Sequence, residues 1–346
     1  MALLFIDGFD HYGTGGATNP ATTGKWVVGL DTVNGSTTVV RTGTNSGVFG
    51  TSASTIITKQ LPASGGAIVG GAWHATSAFP SAVPSDIIQV REGTTVHMTV
   101  GITAGGLLTV KRGTTVLATG TTVLSLNSWY YIELKTIIHD VNGSYEVRIN
   151  GVTEAALTNA GPVDTQNTGT GQWDRIQIAS LGSGTNANYI DDFYVCDTSG
   201  AAPRNTFLGT VKVETLLPQA GNGTNTELTP STGTDHGALV DEATPNTTDY
   251  NSSATVGQKD TYNYPPMTLT GTIYGIQTNL YVQKSDAAAR SVCAVVRHGG
   301  VDTDGVNVNP LTTFNYFSEM WQQKPDASEW TTADIAAIEV GMKVTA

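Results

Sequence analysis

The chain has 346 residues and a formal net charge of −12, and only 13% of its residues are charged. A nucleic-acid-binding face needs clustered Lys and Arg, so an acidic chain with 17 dispersed basic residues is not expected to bind nucleic acid. The low charge content, together with 40 glycines, is typical of β-sandwiches with many turns.

The N-terminal stretch MALLFIDGFDHYG contains no basic residue and only a short apolar run, which is unlike a secretory signal peptide. No stretch approaches the roughly 20 apolar residues of a membrane span. We therefore expect a protein that is made in a cytoplasm and does not insert into a membrane. Cys196 and Cys293 have neither disulfide nor metal-ligand spacing and are expected to be buried free thiols.

Short apolar runs, separated by clusters of Gly, Asn, Ser and Pro, follow one another through the first 197 residues. Their spacing predicts an antiparallel β-sandwich with almost no helix. The predicted strands are 2–6, 25–29, 37–41, 54–60, 66–73, 86–91, 95–102, 106–111, 114–119, 129–139, 144–150, 173–180 and 188–196.

The clearest hairpin lies at 128–153, SWYYIELKTIIHDVNGSYEVRINGVT. A two-residue type I′ loop at Asn142-Gly143 would place Ile138 opposite Val147 and His139 opposite Glu146. The alternation then separates a core face from a face that is expected to be solvated. The predicted core face carries Leu134, Thr136, Ile138, Tyr145, Val147 and Ile149. The predicted solvated face carries Glu133, Lys135, Ile137, His139, Glu146 and Arg148.

A small, polar stretch, DTSGAAPRNT, predicts a domain boundary. We expect a first domain at 1–197, a linker at 198–206 and a second β-sandwich domain at 207–346. Strands in the second domain are predicted at 207–218, 267–274, 276–283, 291–297, 311–322 and 338–344.

Two segments of the second domain are less regular. Residues 219–256 are poor in large apolar side chains, which fits either a disordered linker or a long ordered loop anchored by apolar residues. The anchors would be Leu228, Leu239, Val240 and Tyr250. The segment 329–344 predicts one short helix that is capped by Thr332 and packs through Ile335 and Ile338.

Catalytic carboxylate pairs were sought because sandwich folds can hydrolyse glycosidic bonds with two acidic side chains about 5 Å apart. Glu133 and Glu146 share a face with Lys135 and Arg148, which favours charge pairing between strands on a solvated surface. Asp191 and Asp192 are adjacent, and neighbouring residues of a strand point to opposite faces. No motif of a nucleophilic hydrolase, zinc peptidase or phosphate-binding loop is present, so the sequence predicts that the chain is not an enzyme.

One cation site is a hypothesis. If the first and last strands of the N-terminal domain pair, Asp7, Asp10, Asp191 and Asp192 would gather and offer oxygen ligands to calcium. The alternative is that these carboxylates cap turns.

Six tryptophans (Trp26, Trp73, Trp129, Trp173, Trp321 and Trp330) are candidates for stacking on sugars. A Trp at the start of a strand normally packs inward, so each is expected to belong to a core. Trp73 is the strongest binding candidate, because it precedes His74 and the loop SAFPSAVPSD, but for it too a core position is expected.

Segments of the first 197 residues resemble the concanavalin A-like (laminin G-like) jelly roll. They are FIDGFDHY, SWYYIELKTII followed by GSYEVRINGV, QWDRIQIAS and YIDDFYVCD. In that fold a Trp-initiated strand precedes a hairpin with a Val-x-Ile/Val-Asn-Gly strand, and the first and last strands pair. The resemblance implies an all-β chain with an N-terminal jelly roll, followed here by the second sandwich. The calcium and sugar positions of lectins do not map onto this chain.

A jelly roll at the start, followed by LGTVKVETLLPQAGNGTNTELTP and WTTADIAAIEVGMKV, resembles virion structural proteins of tailed bacteriophages. The resemblance implies a virion location, a tail-associated or fibre-like role in several copies, contacts with other virion proteins and a lectin-like module for a host-surface glycan. The C-terminal domain, with its aromatic segment FNYFSEMW, is expected to dock on the particle. The alternatives are a capsid decoration protein or, from another class, a secreted carbohydrate-binding module or sandwich glycosidase.

Overall fold

The computed structural model describes residues 2–12, 24–26, 28–29, 33–49, 56–76, 78–79, 85–179 and 188–346. The chain forms two compact units. Unit 1 is built from residues up to Val213, and unit 2 from Glu214–Ala346 together with short pieces around His11 and Lys25. Residues 198–206, expected to be a linker, are part of unit 1, and the division lies after Val213.

Unit 1 contains fifteen of the described strands. They are β1 (Leu3–Asp7), β2 (Val28–Gly29), β3 (Val33–Ser36), β4 (Ser46–Phe49), β5 (Ile56–Ser64), β6 (Gly66–Ala75), β7 (Ser85–Glu92), β8 (Thr95–Ile102), β9 (Leu107–Arg112), β10 (Thr115–Val123), β11 (Trp129–Ile137), β12 (Gly143–Ile149), β13 (Val152–Val163), β14 (Trp173–Ala179) and β15 (Asn188–Asp197). The segment 37–41, predicted as a strand, is a run of bends between β3 and β4.

Two antiparallel sheets make the jelly-roll β-sandwich that the sequence predicted. The first sheet has the order β13-β12-β11-β6-β15-β4-β3, and β1 also pairs with β15. The second sheet has the order β10-β9-β8-β7-β14-β5-β2. The expected pairing of the first and last strands is confirmed, because Phe5 lies opposite Val195. Cys196 and Cys293 are buried free thiols, as expected.

The hairpin of β11 and β12 has the predicted faces but a different register. Leu134 lies opposite Val147 and Lys135 opposite Glu146, so the pairing is displaced by four residues from the predicted one. An even displacement keeps each side chain on its face, and Tyr145 and Val147 are buried as predicted. The two-residue turn is not between β11 and β12 but between β12 and β13, at Asn150-Gly151. Both φ angles are positive there, as a type I′ turn requires.

Unit 2 contains a four-stranded antiparallel sheet, β18-β23-β20-β21, and two strand pairs, β19-β22 and β16-β17. Its strands are β16 (Thr229–Pro230), β17 (Asn251–Ser252), β18 (Lys259–Asn263), β19 (Ile276–Val282), β20 (Val292–His298), β21 (Val301–Asp304), β22 (Asn315–Trp321) and β23 (Glu339–Val344). The segments 207–218 and 267–274, predicted as strands, contain no strand.

Residues 219–256 follow the ordered alternative. Leu228 and Leu239 are buried anchors, and Gly237–Leu239 forms a 3-10 turn, whereas Tyr250 is exposed. The predicted short helix is α1 (Thr332–Ala337), and Ile335 packs in the core next to Trp330. Its cap is Thr331 rather than Thr332, because the Thr331 side chain and Asp334 exchange the two bonds of a capping box. No helix among the described residues is long and apolar enough to cross a bilayer.

Candidate functional site

The second sheet of unit 1 carries polar side chains on the face that points away from the sandwich core. Residues such as Ile88, Val90 and Ile178 alternate with them along the strands and are fully buried in the core. We call the opposite set the polar face. It is formed by Thr58, Gln60, Asp86, Gln89, Arg91, Thr99, Thr109, Lys111, Arg175 and Gln177.

The register places five of these residues in one row across five strands. Thr58 pairs with Gln177, Gln177 with Gln89, Gln89 with Thr99, and Thr99 with Lys111. Neighbouring strands lie about 4.8 Å apart, so the row is roughly 19 Å long. That length suits a ligand extended across the strands, such as a short oligosaccharide.

A second row lies two residues further along the strands, about 7 Å away. In it Gln60 pairs with Arg175, and Arg175 with Arg91. The two central strands carry Gln89-Val90-Arg91 and Arg175-Ile176-Gln177. Because these strands are antiparallel, glutamine lies opposite glutamine and arginine opposite arginine.

Hydrogen bonds within the polar face fix several of its side chains. The Gln89 amide donates to an Asp86 carboxylate oxygen at 2.7 Å, and Lys111 forms an ion pair with the other Asp86 oxygen. Arg91 donates to the Gln177 amide oxygen and to the Thr94 carbonyl, the latter at 3.0 Å. These side chains are thus held in place before any ligand arrives.

Several polar atoms of the face have no protein partner. They are Gln89 Oε1, Thr99 Oγ1, Thr109 Oγ1, Arg91 Nε and Arg175 Nε. Buried polar groups are nearly always hydrogen-bonded, so a cluster of unpartnered ones on one surface indicates a place for solvent or ligand atoms. The threonines form the floor of the face. Gln89 and the two arginines are half-buried as residues, although the unpartnered atoms named above are themselves buried.

The electrostatics of the face centre on its two arginines. Burial, and after it the charge of Arg175, lowers the pKa of Arg91. The nearest carboxylate to Arg175 is Asp174, at 3.6 Å from Nε, which is longer than a hydrogen bond.

A cleft of about 370 Å³ opens beside the polar face. It is lined by Asp86, the turn residues 94–96 and 112–115, and residues 167–168. Threonine hydroxyls and backbone groups predominate in this lining, so the cleft extends the polar surface toward the turns.

The carboxylates that the sequence singled out lie elsewhere. Glu133 was expected on a solvated surface, and this is wrong, because its side chain is 0% exposed. One oxygen accepts hydrogen bonds from the Tyr194 hydroxyl at 2.6 Å and from the Gly209 amide at 2.9 Å. Burial raises its pKa. Glu146 forms an ion pair with Arg148 at 2.8 Å, within β12 rather than between strands as predicted.

Asp191 and Asp192 were expected to point to opposite faces, and this is also wrong. The pairing of β15 with β6 shifts between Asp191 and Tyr194, and Asp192 has a φ of 52°, so the strand is kinked there. Both carboxylates consequently reach Thr42, at 3.1 Å from its amide and 2.9 Å from its hydroxyl. Burial, and then the charge of Asp192, raises the pKa of Asp191 to about 8.

The other two carboxylates of the calcium hypothesis also bind protein donors. Asp10 accepts the amides of Thr44 and Asn45, at 2.6 and 2.9 Å. Asp7 accepts the Trp26 indole N–H at 2.8 Å. Among the described residues no group of three or more His, Cys, Asp or Glu side chains is placed to hold a metal. Through these bonds the four carboxylates hold loops of unit 1 in place.

The core positions expected for tryptophans are confirmed for Trp26, Trp73, Trp173 and Trp330, which are buried. Trp129 is half-buried and lies 5.3 Å from the His74 ring. The polar face was not among the sites predicted from the sequence. Its signal was present in DIIQVRE and WDRIQIA, where Gln and Arg alternate with aliphatic residues, but the pairing of these two strands was not.

No protein-family model matches this chain. No curated protein matches it either. Solved structures similar to it include a cellulose-induced protein, Cip1, with 18% identity over 60% of this chain and 100% of that chain, at a TM-score of 0.43. Domain 4 of AbnA, an extracellular GH43 arabinanase from Geobacillus stearothermophilus solved with arabinotriose, is 13% identical over 57% of this chain and 93% of its own, at a TM-score of 0.36.

The alginate lyase from Corynebacterium sp. is 11% identical over 41% of this chain and 67% of that chain, at a TM-score of 0.29. At these identities the likeness concerns the β-sandwich fold alone. The prediction that the chain is not an enzyme does not stand, because it rested on missing motifs and the similar solved structures include enzymes; none of these likenesses assigns an activity to this chain. The missing hydrolase motifs therefore do not decide the question of catalysis.

Proposed function

We propose that unit 1 binds a carbohydrate chain along the polar face of the second sheet. The observation that carries the proposal is the side-by-side array of amide and guanidinium groups on adjacent strands, in which Gln89 lies beside Gln177 and Arg91 beside Arg175. Sugar hydroxyls both donate and accept hydrogen bonds, so they complement such mixed groups.

Preorganisation supports the same assignment. The side chains stand on paired β-strands, and Asp86 and Thr94 hold Gln89 and Arg91 in position. A ligand that binds a surface already fixed pays less side-chain entropy than one that must order it. Sites built on strands are also more exact in geometry than sites on loops.

Among the settings that the sequence suggested, a carbohydrate-binding module or a sandwich enzyme acting on glycans fits better than a virion structural role. A glycan-binding surface is sufficient for the former, whereas a virion role also requires an assembly surface, to which no feature of the described residues points. Only the resemblance of the sequence supports the virion setting, which comprises a tail or capsid location, several copies, synthesis without export and docking through the C-terminal unit.

The test is titration calorimetry of the full chain against a panel of neutral and acidic oligosaccharides, with product release followed in parallel. We expect Gln89→Ala to weaken binding roughly fivefold, the effect of one hydrogen bond of about 1 kcal/mol. Gln323→Ala, at an exposed glutamine of unit 2 that bonds only Glu329, is the matched control and should bind like the wild type. Binding that is equal in all three proteins would place the site elsewhere, and a panel without any binder would refute the proposal.

A further inference from the structure

Arg91 and Arg175 lie directly opposite each other in the antiparallel pair of β7 and β14. Side chains in such positions have Cβ atoms about 5 Å apart, and like charges there are destabilising. The rest of the row offers no compensation, because Gln60 lies beyond Arg175 and Val96 beyond Arg91. The row therefore places two positive charges side by side with no carboxylate among their cross-strand neighbours.

The two guanidinium groups differ in their partners: Arg175 pairs loosely with Asp174, whereas Arg91 has no carboxylate partner among the described residues. Arg91 donates only to neutral oxygens, those of Gln177 and Thr94, and within the described residues it forms no ion pair. Arg175 donates no hydrogen bond to any described residue, and Asp174 is 3.6 Å from its Nε. The side chain of Arg175 is 35% exposed, so its guanidinium is within reach of a ligand.

We infer that this pair is an anion subsite within the proposed glycan site, and that the preferred ligand is an acidic glycan whose carboxylate or sulfate contacts Arg175 and Arg91. The inference rests on the proposed function. The planar guanidinium fork binds such groups through two parallel N–H···O bonds, and an anion between the two arginines removes their mutual repulsion. The spacing of the rows puts the charged substituent about 7 Å from the Gln89–Gln177 row along which the sugar chain lies.

The net charge of the chain gives the inference a further consequence. At −12 the protein repels a polyanion at long range, whereas the arginine pair attracts it at contact. At physiological ionic strength the Debye length is about 8–10 Å, so added salt screens the long-range repulsion. A partly buried contact is screened less. The anionic preference should therefore persist in 0.15 M salt.

The test compares a galacturonate oligomer with its carboxyl-reduced counterpart, in which each carboxylate is replaced by a hydroxymethyl group, on the full chain. A sulfated galactan oligomer and its desulfated form are the second pair. We expect the wild type to bind at least one anionic member about tenfold more tightly than its neutral partner, as a charge-assisted hydrogen bond implies. The pair that shows the preference identifies the anion as carboxylate or sulfate.

Arg175→Gln should abolish that preference. Because Arg175 also belongs to the proposed binding face, the affinity for the neutral oligomer can fall as well, so the readout is the ratio of the anionic to the neutral affinity. Arg290→Gln, at an exposed arginine of unit 2 that pairs with Asp286, is the matched control and should keep the preference. Thermal melts of both variants check that they fold. The anion subsite would be refuted if the wild type bound neutral and anionic oligomers equally, or if the preference survived Arg175→Gln. Neither result would refute the glycan site. Absence of binding to every oligomer would refute the glycan site itself.

Discussion

Val147 tests the packing of unit 1 most directly. It lies at the centre of β12, opposite Leu134, and both side chains are 0% exposed. Val147→Thr keeps the shape of the side chain but buries a hydroxyl among apolar neighbours, which should lower the free energy of unfolding by about 1–3 kcal/mol. Val147→Asp buries an unpaired carboxylate in the same place and should cost about 4 kcal/mol or more, a large share of the stability of a domain.

Val152→Asp is the matched control, because Val152 begins the neighbouring strand β13 and is 70% exposed. An exposed substitution of this kind should change stability by no more than about 0.5 kcal/mol. Urea unfolding followed by tryptophan fluorescence gives the midpoint and slope for each protein, and equal slopes would show that only stability has changed. If Val147→Asp were no more costly than Val152→Asp, the assignment of the β12 faces would be refuted.

Two further predictions concern a buried acid and a turn. Burial raises the folded-state pKa of Glu133 above its ordinary value of 4.5, so the folded state holds this proton more tightly than the unfolded chain. The free energy of unfolding should consequently fall as pH rises from 4.5 through the folded pKa. Urea melts between about pH 4 and pH 8 measure this fall, and Glu133→Gln should flatten it. If the free energy of unfolding changed with pH equally in both proteins, the burial argument would be contradicted. Gly151→Ala should lower stability by about 1–2 kcal/mol, because Gly151 has a φ of 79° and an added Cβ would meet its nearest atom, Thr210 Cγ2, at an ordinary 3.9 Å, so that the cost is backbone strain. Gly105→Ala, where the nearest atom is also 3.9 Å away but φ is not positive, is its control in the same thermal melts, and equal losses would rule out strain as the cause.

The hairpin shows which part of a fold the sequence determines locally. Its alternation fixed the two faces, so Tyr145 and Val147 could be assigned to the core. The register depended on which Asn-Gly step forms the tight turn, and both steps satisfy the same local preference. A local contact favours the longer turn before β12, because His139 Nδ1 accepts the amides of Val141 and Asn142 there.

The polar face could be predicted only in part. Alternation in DIIQVRE and WDRIQIA places Gln89 and Arg91 on one side of β7, and Arg175 and Gln177 on one side of β14. The strands β7 and β14 are neighbours only in the folded sandwich, because β8 to β13 lie between them in the sequence. Pairing between distant segments is set by global packing and leaves no mark in either segment alone.

Unit 1 extends past the predicted linker at 198–206 and includes residues up to Val213. Phe207 and Leu208 are buried there, and backbone amides hold the segment: Gly209 donates to Glu133 at 2.9 Å, Leu208 to the Tyr194 hydroxyl at 3.2 Å, and Val213 to Asp192 at 2.7 Å. Amide donors require no particular side chain, so these contacts leave no mark in a segment that its apolar run assigns to a strand of the second domain. The acceptors are the feature that is visible in sequence, as polar residues on the outward face of the first sheet. A face of the first sheet that alternation alone assigns to solvent is thus the surface on which a following segment docks. The polar face of the second sheet differs, because it keeps polar atoms without protein partners, and it is the face on which we propose that a ligand binds.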